Sequence, residues 1–143
     1  MKIAVAMSGG VDSSVTAAFL KNQGHHIIGI TARFFSHPDF DNSLYTESLE
    51  DAVKICRDLD IVHHTYDLSS KFAQEIVDPF CAAYLSGNTP NPCINCNRKI
   101  KFKELIEITE RLGCDYLATG HYAKKKEING RFTLSMSPEK GKD

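Results

Sequence analysis

Residues 8–14 read Ser8-Gly9-Gly10-Val11-Asp12-Ser13-Ser14 and follow directly on the apolar run Ile3-Ala4-Val5-Ala6-Met7. This order predicts a buried strand, a tight glycine turn and the start of a helix. Such a turn points consecutive backbone N–H groups into one concavity at the positive end of a helix, where phosphate binds without a basic side chain. The other interpretation is a plain Gly-Gly turn in which Asp12 or Ser13 caps the helix. The strand, the double glycine and the Asp-Ser-Ser ending together favour a phosphate loop.

The size and composition of the chain are those of one packed domain. It has 143 residues, of which 42% are hydrophobic and 24% charged, and these values are ordinary for a globular domain. No apolar run approaches the ~20 residues that cross a bilayer. The N-terminus also lacks the basic, apolar, small-residue order of a signal peptide. We therefore expect a cytoplasmic protein with no membrane partner.

The cysteines fit a reducing compartment better than a disulfide framework, because there are five of them, at positions 56, 81, 93, 96 and 114. Cys56 falls on an apolar helical stripe and Cys114 sits beside a predicted strand. Both are therefore expected in the core.

The charge of the chain is unevenly distributed. Residues 1–97 hold 6 Lys/Arg against 11 Asp/Glu, whereas residues 98–143 hold 11 against 7. The basic final third is compatible with a polyanionic partner and equally with solvated helix faces.

Apolar spacing predicts strands that alternate with helices. Strands are expected at residues 2–7, 27–35, 61–66 and 115–119. Helices are expected from Asp12 to Gly24, over 49–59 with Thr46 or Ser48 as the cap, over 70–85 with an interruption near Pro79, and from Phe102 to Gly113. In the first helix, one face carries Val11, Val15, Ala18 and Phe19. Residues 36–46 are predicted to form a loop, and residues 128–136 a hairpin around Asn129-Gly130.

This alternation predicts an α/β fold, a Rossmann-like parallel sheet with helices on both faces. In such sheets ligands bind beyond the carboxyl ends of the strands, near a switch in strand order. The first strand ends in the Ser-Gly-Gly turn, the second in Ala32-Arg33 and the fourth in Gly120-His121. These three segments are expected to converge at one edge of the sheet, as in a nucleotide site.

A second motif spans residues 87–102, Gly-Asn-Thr-Pro-Asn-Pro-Cys-Ile-Asn-Cys-Asn-Arg-Lys-Ile-Lys-Phe. The Cys93-x-x-Cys96 pair lies just ahead of a predicted helix. The helix N-terminus, with Arg98 and Lys99, favours a thiolate, so we expect a lowered pKa for Cys96. Three interpretations compete: a reactive thiol, half of a metal or iron–sulfur site, or buried structural cysteines. Zinc would normally need two further ligands, and the sequence has no second Cys-x-x-Cys.

Three motifs together resemble a known family. SGGVDSS lacks the Gly-Lys-Ser/Thr ending of a Walker P-loop and resembles the PP-loop of the ATP pyrophosphatase superfamily, whose members cleave ATP between the α and β phosphates and adenylate a substrate. Joined by NTPNPCINCNRKIKF and DYLATGHYA, in that order and spacing, it resembles the bacterial and organellar tRNA-specific 2-thiouridylases over essentially the whole chain. The resemblance implies an adenine nucleotide alpha hydrolase-like PP-loop domain.

The resemblance implies roles for individual residues. ATP would contact Ala6, Met7, Ser8, Gly9, Gly10, Val11, Asp12, Ser13, Ala32 and Gly120. The tRNA and its target uridine would contact Asn91, Pro92, Cys93, Lys142 and Asp143. Cys96 would be the first catalytic cysteine, with Cys93 beside it.

The resemblance also implies the chemistry. ATP with Mg²⁺ would adenylate O2 of the uracil at the wobble position (34) of tRNA, because sulfur needs a better leaving group than oxide to displace. A persulfide, supplied through a sulfur-donor protein, would deliver sulfur to C2, and Cys96 would resolve the intermediate or the persulfide. The basic segment from Arg98 and the run Lys124-Lys125-Lys126 are candidate contacts with the phosphate backbone, or simply solvated lysines.

Two departures from the family pattern matter. Cys93 stands where many members carry Asp, so the assignment of a general acid/base is lost and iron–sulfur ligation with a third cysteine gains weight. The chain also stops at Asp143, inside a tRNA-contacting motif. We therefore expect residues 1–143 to be an incomplete N-terminal PP-loop ATP-binding domain, without the later tRNA-binding β domains and unable to complete thiolation alone.

Two alternative functions remain open at this point. One is another PP-loop ATP pyrophosphatase or thiolase, acting on cytidine or on a small acid. The Thr-Pro-Asn-Pro-Cys segment disfavours this alternative. The other is a non-catalytic fragment in which SGGVDSS holds a nucleotide and Cys93 and Cys96 hold iron or zinc.

Overall fold

The computed structural model describes residues 1–34 and 43–135, with the backbone alone for residues 43–45. The strands are β1 (Lys2–Ala6), β2 (His26–Arg33), β3 (Val62–Asp67), β4 (Tyr116–Ala118), β5 (Lys124–Ile128) and β6 (Arg131–Ser135). The α-helices are α1 (Val11–Asn22), α2 (Ser43–Asp58), α3 (Ser69–Phe72), α4 (Asp78–Leu85), α5 (Pro92–Asn95) and α6 (Lys103–Arg111). Two π-helical segments, Ala73–Val77 and Cys96–Phe102, join α3 to α4 and α5 to α6.

The main sheet has four parallel strands in the order β3-β2-β1-β4. The α/β prediction is thereby confirmed. The chain moves outward in one direction from β1 to β3 and then returns to place β4 on the other side of β1. The strand order therefore switches between β1 and β4, where the crevice of such sheets binds ligands.

Helices cover both faces of this sheet, as predicted. On one face Ala17 of α1 and Cys56 of α2 pack against alternate residues of β1 such as Val5. On the opposite face Leu105 and Ile108 of α6 pack in the second core cluster. Cys56 is buried as predicted, whereas Cys114 lies at the margin of the second cluster and is only half-buried.

The face of α1 that was predicted from its larger apolar residues is not the buried one. Val11, Val15 and Phe19 are 60% exposed or more, whereas Ser13 and Ala17 are buried. Only residues 7–10 separate β1 from α1, so the helix lies close to the sheet. Small side chains therefore occupy the contact, and the bulky ones point away from the sheet.

The second helix begins earlier than its apolar spacing indicates. Because α2 starts at Ser43, Thr46 and Ser48 lie inside the helix and are not its cap, and residues 43–46 are not a loop. The rest of the predicted loop, residues 36–42, lies outside the described residues.

The two helical stretches that carry π-segments are irregular at identifiable points. The helical run is continuous through Pro79, so the predicted interruption near this proline is only a change from the π-segment Ala73–Val77 to α4, in whose first turn Pro79 stands. The second stretch begins at Pro92, so Cys93 lies in the first turn and Cys96 opens the second π-segment. The cysteine pair is thus part of the helix and not ahead of it.

The final described segment is the predicted hairpin. Strands β5 and β6 pair antiparallel with Ile128 opposite Arg131, and the turn residues Asn129 and Gly130 have φ of 52° and 74°. Two positive φ values in a two-residue turn define the type I′ geometry that matches strand twist. Within the described ranges, no helix has the length and apolarity required to span a membrane.

Candidate nucleotide and thiol site

The first glycine of the Ser-Gly-Gly turn is held in a conformation and a space that no side chain fits. Gly9 has a φ of +76°, and a Cβ there would lie 2.3 Å from the backbone oxygen of Ser48 in α2. Gly10 has φ of −80°, and a Cβ there would meet only the end of the Ser8 side chain at 3.4 Å. The two glycines are therefore not equivalent: Gly9 makes the turn and lets α2 approach it.

Serine hydroxyls fix the shape of the loop. Ser13 and Ser14 donate to the carbonyl oxygen of Gly10 at 3.0 Å and 2.8 Å, and the backbone N–H of Ser8 donates to Oγ of Ser13 at 3.3 Å. Gly10 takes the cap position of α1, where no side chain accepts a hydrogen bond from the helix. The cap position therefore adds no side chain at the start of α1, where the helix dipole favours an anionic ligand.

The end of β4 closes on the same loop. A Cβ on Gly120 would lie 2.8 Å from the backbone nitrogen of Ser13 and 2.9 Å from the carbonyl carbon of Asp12. Two residues later, the hydroxyl of Tyr122 donates to Oδ1 of Asp12 at 2.9 Å. The β4 end therefore packs directly on the first turn of α1 across the strand switch.

A chain of hydrogen bonds joins β3 and β2 to Met7, the residue that precedes the phosphate loop. Thr31 donates its hydroxyl proton to the carbonyl oxygen of Met7 at 2.9 Å, and Nε2 of His63 lies 2.8 Å from the same hydroxyl. Since the hydroxyl has one proton, His63 must donate from Nε2. Burial, with His64 as a smaller contribution, lowers the pKa of His63 and so favours the neutral ring.

Arg33, at the end of β2, does not line the cavity at the carboxyl edge of the sheet. Its guanidinium hydrogen-bonds Asp67 at the end of β3. That bond, with hydrogen bonds from Ser69, holds the pKa of Asp67 at about 2.

These elements enclose a cavity of about 440 Å³ at the carboxyl edge of the sheet. Of the predicted nucleotide contacts, those that line it are Ala6, Met7, Ser8, Asp12, Ser13, Ala32 and Gly120. Gly9, Gly10 and Val11 are not among the lining residues. His121 also lines it and was placed at this edge by the sequence, whereas sequence reasoning missed Ile30, Thr31, Phe34, Ser48, Leu49, Lys101, Phe102, Leu105 and Thr119. The convergence of the three strand ends is as predicted, and the roles of the residues remain predictions.

The paired cysteines lie on a helix whose start is well defined. Asn91 caps α5, because its side-chain oxygen accepts the N–H of Cys93 at 3.1 Å, and Pro92 fills the first helical position. Cys93 is exposed and Cys96 is partly buried. The predicted lowering of the Cys96 pKa is wrong. Burial raises that pKa, and the opposing effect of the Lys101 ammonium is smaller.

Lys101 connects the thiol helix to the cavity. It is close enough to Cys96 to favour the thiolate, and it also lines the cavity. The neighbouring Phe102 lines the same wall and packs against His121, with ring centroids 5.6 Å apart and the rings tilted by 41°. One wall of the cavity is therefore built by the helix that carries Cys96.

Two ion pairs dock this helix on the one before it. Lys71 Nζ lies 2.5 Å from Oε1 of Glu104, whose side chain is almost fully buried, and Lys99 Nζ lies 2.7 Å from Oε2 of Glu75. Ile76 of the first π-segment and Ile100 of the second are also buried. π-Segments are rare in proteins, and those that occur often lie at functional sites. Here the two π-segments contact each other through the Lys99–Glu75 ion pair, which holds the thiol helix in place.

The cysteines do not complete an iron–sulfur site in the part of the chain that the structure describes. Cys93 and Cys96 stand one helical turn apart and could supply two ligands, but no cluster of three or more His, Cys, Asp or Glu side chains placed for a metal exists among these residues. Clusters of the kind predicted need at least a third cysteine. Of the predicted tRNA contacts, Asn91, Pro92 and Cys93 share one helix start, while Lys142 and Asp143 lie outside the described residues.

The strand order and the loop at its switch point are those of a nucleotide-binding α/β domain. Comparison with known sequences identifies the group: the family described as "tRNA methyl transferase HUP domain" matches residues 1–143, and the chain belongs to that family. The chain is 47% identical over 141 residues to the tRNA-specific 2-thiouridylase MnmA of Syntrophotalea carbinolica, covering 99% of this chain and 40% of the relative. It is 52% identical over 124 residues to the corresponding protein of Pelobacter propionicus, covering 87% and 34%.

Solved structures agree with this grouping. The U34-tRNA thiolase NcsA from Methanococcus maripaludis, solved with its 4Fe–4S cluster, superposes with a TM-score of 0.60 at 26% identity, over 85% of this chain and 38% of that one. The predicted resemblance to 2-thiouridylases is confirmed. The chain spans about 40% of the length of the curated relatives that it matches along nearly all of its length.

Proposed function

We propose that this chain forms the PP-loop ATP-binding domain of an enzyme that replaces O2 of the wobble uridine of tRNA with sulfur. The observation that carries the proposal is the shared wall: Lys101 lines the cavity under the phosphate loop and also acts on Cys96. A site that binds ATP beside a thiol fits activation of an oxygen followed by sulfur transfer. The names of the relatives that match along nearly all of this chain support the same reaction.

The first step is adenylation of the uracil. O2 attacks the α-phosphorus of ATP, the new P–O bond forms, and the bond to the bridging oxygen breaks to release pyrophosphate. The N–H groups at the start of α1 and the ammonium of Lys101 would stabilise the charge on the phosphates. Mg²⁺ bound with ATP would supply neutralisation of the leaving pyrophosphate, and Asp12, whose side chain is the carboxylate among the described residues that line the cavity, would hold it.

The second step is sulfur transfer. The terminal sulfur of a persulfide on a second cysteine, loaded by a donor protein, attacks C2, and AMP leaves with the O2 atom. The Cys96 thiolate then attacks the carrier cysteine, so that a disulfide forms and the sulfur stays on the uridine. Because burial raises the Cys96 pKa, a base must accept its proton, and Lys101 stabilises the thiolate that forms.

The remaining predicted contacts complete the proposal. Asn91, Pro92 and Cys93 would approach the target uridine, because they stand at the exposed start of the thiol helix. Lys142 and Asp143 would contact tRNA. The reaction would take place in the cytoplasm, where unmodified tRNA and a persulfide donor meet.

The test uses the whole enzyme that contains this domain, at the full length of its relatives and hereafter called the full chain, with ATP, Mg²⁺, a persulfide donor and unmodified tRNA. Pyrophosphate release and 2-thiouridine are both measured, the latter by mass spectrometry of digested tRNA. Cys96→Ser is expected to keep tRNA-dependent pyrophosphate release and to lose 2-thiouridine. The matched control is Cys81→Ser, since Cys81 is an exposed cysteine on α4 that does not line the cavity.

Two outcomes count against the proposal in different ways. Normal 2-thiouridine from Cys96→Ser removes the assigned nucleophile but leaves the reaction. An absence of tRNA-dependent pyrophosphate release in the unmutated full chain rejects the reaction itself.

A further inference from the structure

The β5–β6 hairpin is a two-stranded ribbon that stands apart from the main sheet. Within the described residues its strands pair only with each other. All ten of its strand residues are exposed except Ser135, which is partly exposed. A two-stranded ribbon with both faces in water is marginally stable by itself. Because this exposed ribbon gains little stability from the rest of the fold, we interpret its surface as a binding surface for a partner.

Pairing in the hairpin sorts its charges by face. Residues opposite each other in an antiparallel pair share a face, and successive residues alternate. The pairs Lys124–Ser135, Lys126–Thr133 and Ile128–Arg131 therefore define one face, and the pairs Lys125–Leu134 and Glu127–Phe132 define the other.

The two faces differ in chemistry. The first, which we call the cationic face, carries Lys124, Lys126 and Arg131 with two hydroxyl side chains and no carboxylate. The opposite face combines Lys125 with Glu127, and its lysine lies over the ring of Phe132, 3.7 Å from the centroid. The middle lysine of the run, Lys125, therefore lies on the opposite face and contacts an aromatic ring.

The position of the hairpin matters as much as its charge. It begins three residues after His121, whose ring packs against Phe102 in the cavity wall, and Tyr122 donates a hydrogen bond to Asp12 at the phosphate loop. Three residues reach at most about 11 Å. The cationic face therefore starts at the same edge of the sheet as the cavity and the thiol helix.

We propose that the cationic face of the hairpin binds the phosphodiester backbone of the RNA whose uridine enters the cavity; this rests on the proposed function. Lys124 and Lys126 stand about 7 Å apart along one strand, which is close to the separation of successive phosphates in a nucleic-acid strand. Arg131 lies across from them on the neighbouring strand. Contacts of this kind position an RNA without reading its sequence.

The test measures the affinity of the full chain for an unmodified tRNA transcript at 50 to 200 mM KCl, without ATP. Lys124→Gln combined with Lys126→Gln is expected to flatten the dependence of log Kd on log salt concentration by about 1.5 to 2, since two phosphate contacts are lost. The matched control, Lys54→Gln with Arg57→Gln, removes the same charge from exposed positions of α2 and is expected to leave the slope unchanged. Lys125→Gln tests the opposite face of the hairpin in the same way.

The outcomes separate this inference from the function on which it rests. If tRNA binds but the Lys124/Lys126 variant keeps the salt slope, or if Lys125→Gln flattens it by as much per charge removed, about 0.7 to 1, the cationic face is not the specific RNA contact. If the variant loses binding to anionic vesicles or to polyglutamate and not to tRNA, the partner is of another class and the proposal is overturned. A full chain that binds no tRNA at any salt concentration rejects the proposed function itself. Retention of the circular dichroism spectrum shows that the variants are folded.

Discussion

Gly120 lies directly against Ser13, so closely that a Cβ on the glycine would stand 2.8 Å from the serine's backbone nitrogen. Gly120 follows β4, and Ser13 lies in α1, the helix that follows β1; the strand order switches between these two strands. That nitrogen belongs to the first turn of α1, the end at which the helix dipole favours an anion. The contact of Gly120 with the first turn of α1 therefore helps to fix the position of the phosphate loop.

Gly120→Ala is expected to weaken ATP binding about tenfold, because displacing the first turn of α1 costs the equivalent of one hydrogen bond to a charged phosphate, about 1.5 kcal/mol. Calorimetric titration with ATP measures the effect. Gly24→Ala is the control: Gly24 has φ of +81° beyond the far end of α1 and open space around it. It should lower stability without changing ATP affinity. Unchanged affinity in Gly120→Ala would contradict the assignment of the loop.

Gly9→Ala and Gly10→Ala should differ strongly in stability although the glycines are adjacent. The first forces a side chain into a left-handed backbone, at about 1–2 kcal/mol, and into the backbone oxygen of Ser48. The second meets only the movable Ser8 hydroxyl at 3.4 Å. We expect urea unfolding of the nucleotide-free chain to show a clear loss for Gly9→Ala and a change within about 0.5 kcal/mol for Gly10→Ala. Equal losses would show that the turn is not built as described.

The reactivity of Cys96 should depend on Lys101. Burial raises the Cys96 pKa and Lys101 lowers it, so Lys101→Ala should move the alkylation midpoint of Cys96 to still higher pH. Iodoacetamide labelling across pH, followed by mass spectrometry of the Cys96 peptide, gives the profile. Lys103→Ala removes an equal charge from an exposed position two residues on. If both variants shift the profile alike, a general loss of charge explains the effect and the specific role of Lys101 fails.

His63 should make stability depend on pH in one direction. Its pKa is lowered in the folded chain, so the unfolded chain binds a proton more readily. The stabilisation is complete above the ordinary histidine pKa of about 6.5 and is lost as pH falls through the folded value. His63→Gln, which keeps a donor for Thr31, should remove this part of the pH dependence, as measured by urea unfolding between about pH 5 and 8. His26→Gln, an exposed control, should retain it; loss of the same slope there would refute the role of His63.

Local patterns predicted much of the architecture. Alternating apolar periods identified the four parallel strands and their helices, and Asn129-Gly130 identified the hairpin, because turn type and side-chain period are properties of neighbouring residues. The same kind of reasoning failed for α1. The buried face of that helix is set by how closely it must approach β1, and the size of its apolar residues does not reveal that distance.

The thiol site shows the same division. Sequence alone singled out Cys93 and Cys96 and the Ser8–Ser14 loop, since each motif carries its chemistry in adjacent residues. Only the tertiary structure placed Lys101 and Phe102 in the cavity wall, because those contacts join a helix to strands that lie far from it along the chain. It also reversed the expected pKa of Cys96: proximity to a helix start and basic residues can be read from the sequence, whereas desolvation depends on what packs around the sulfur.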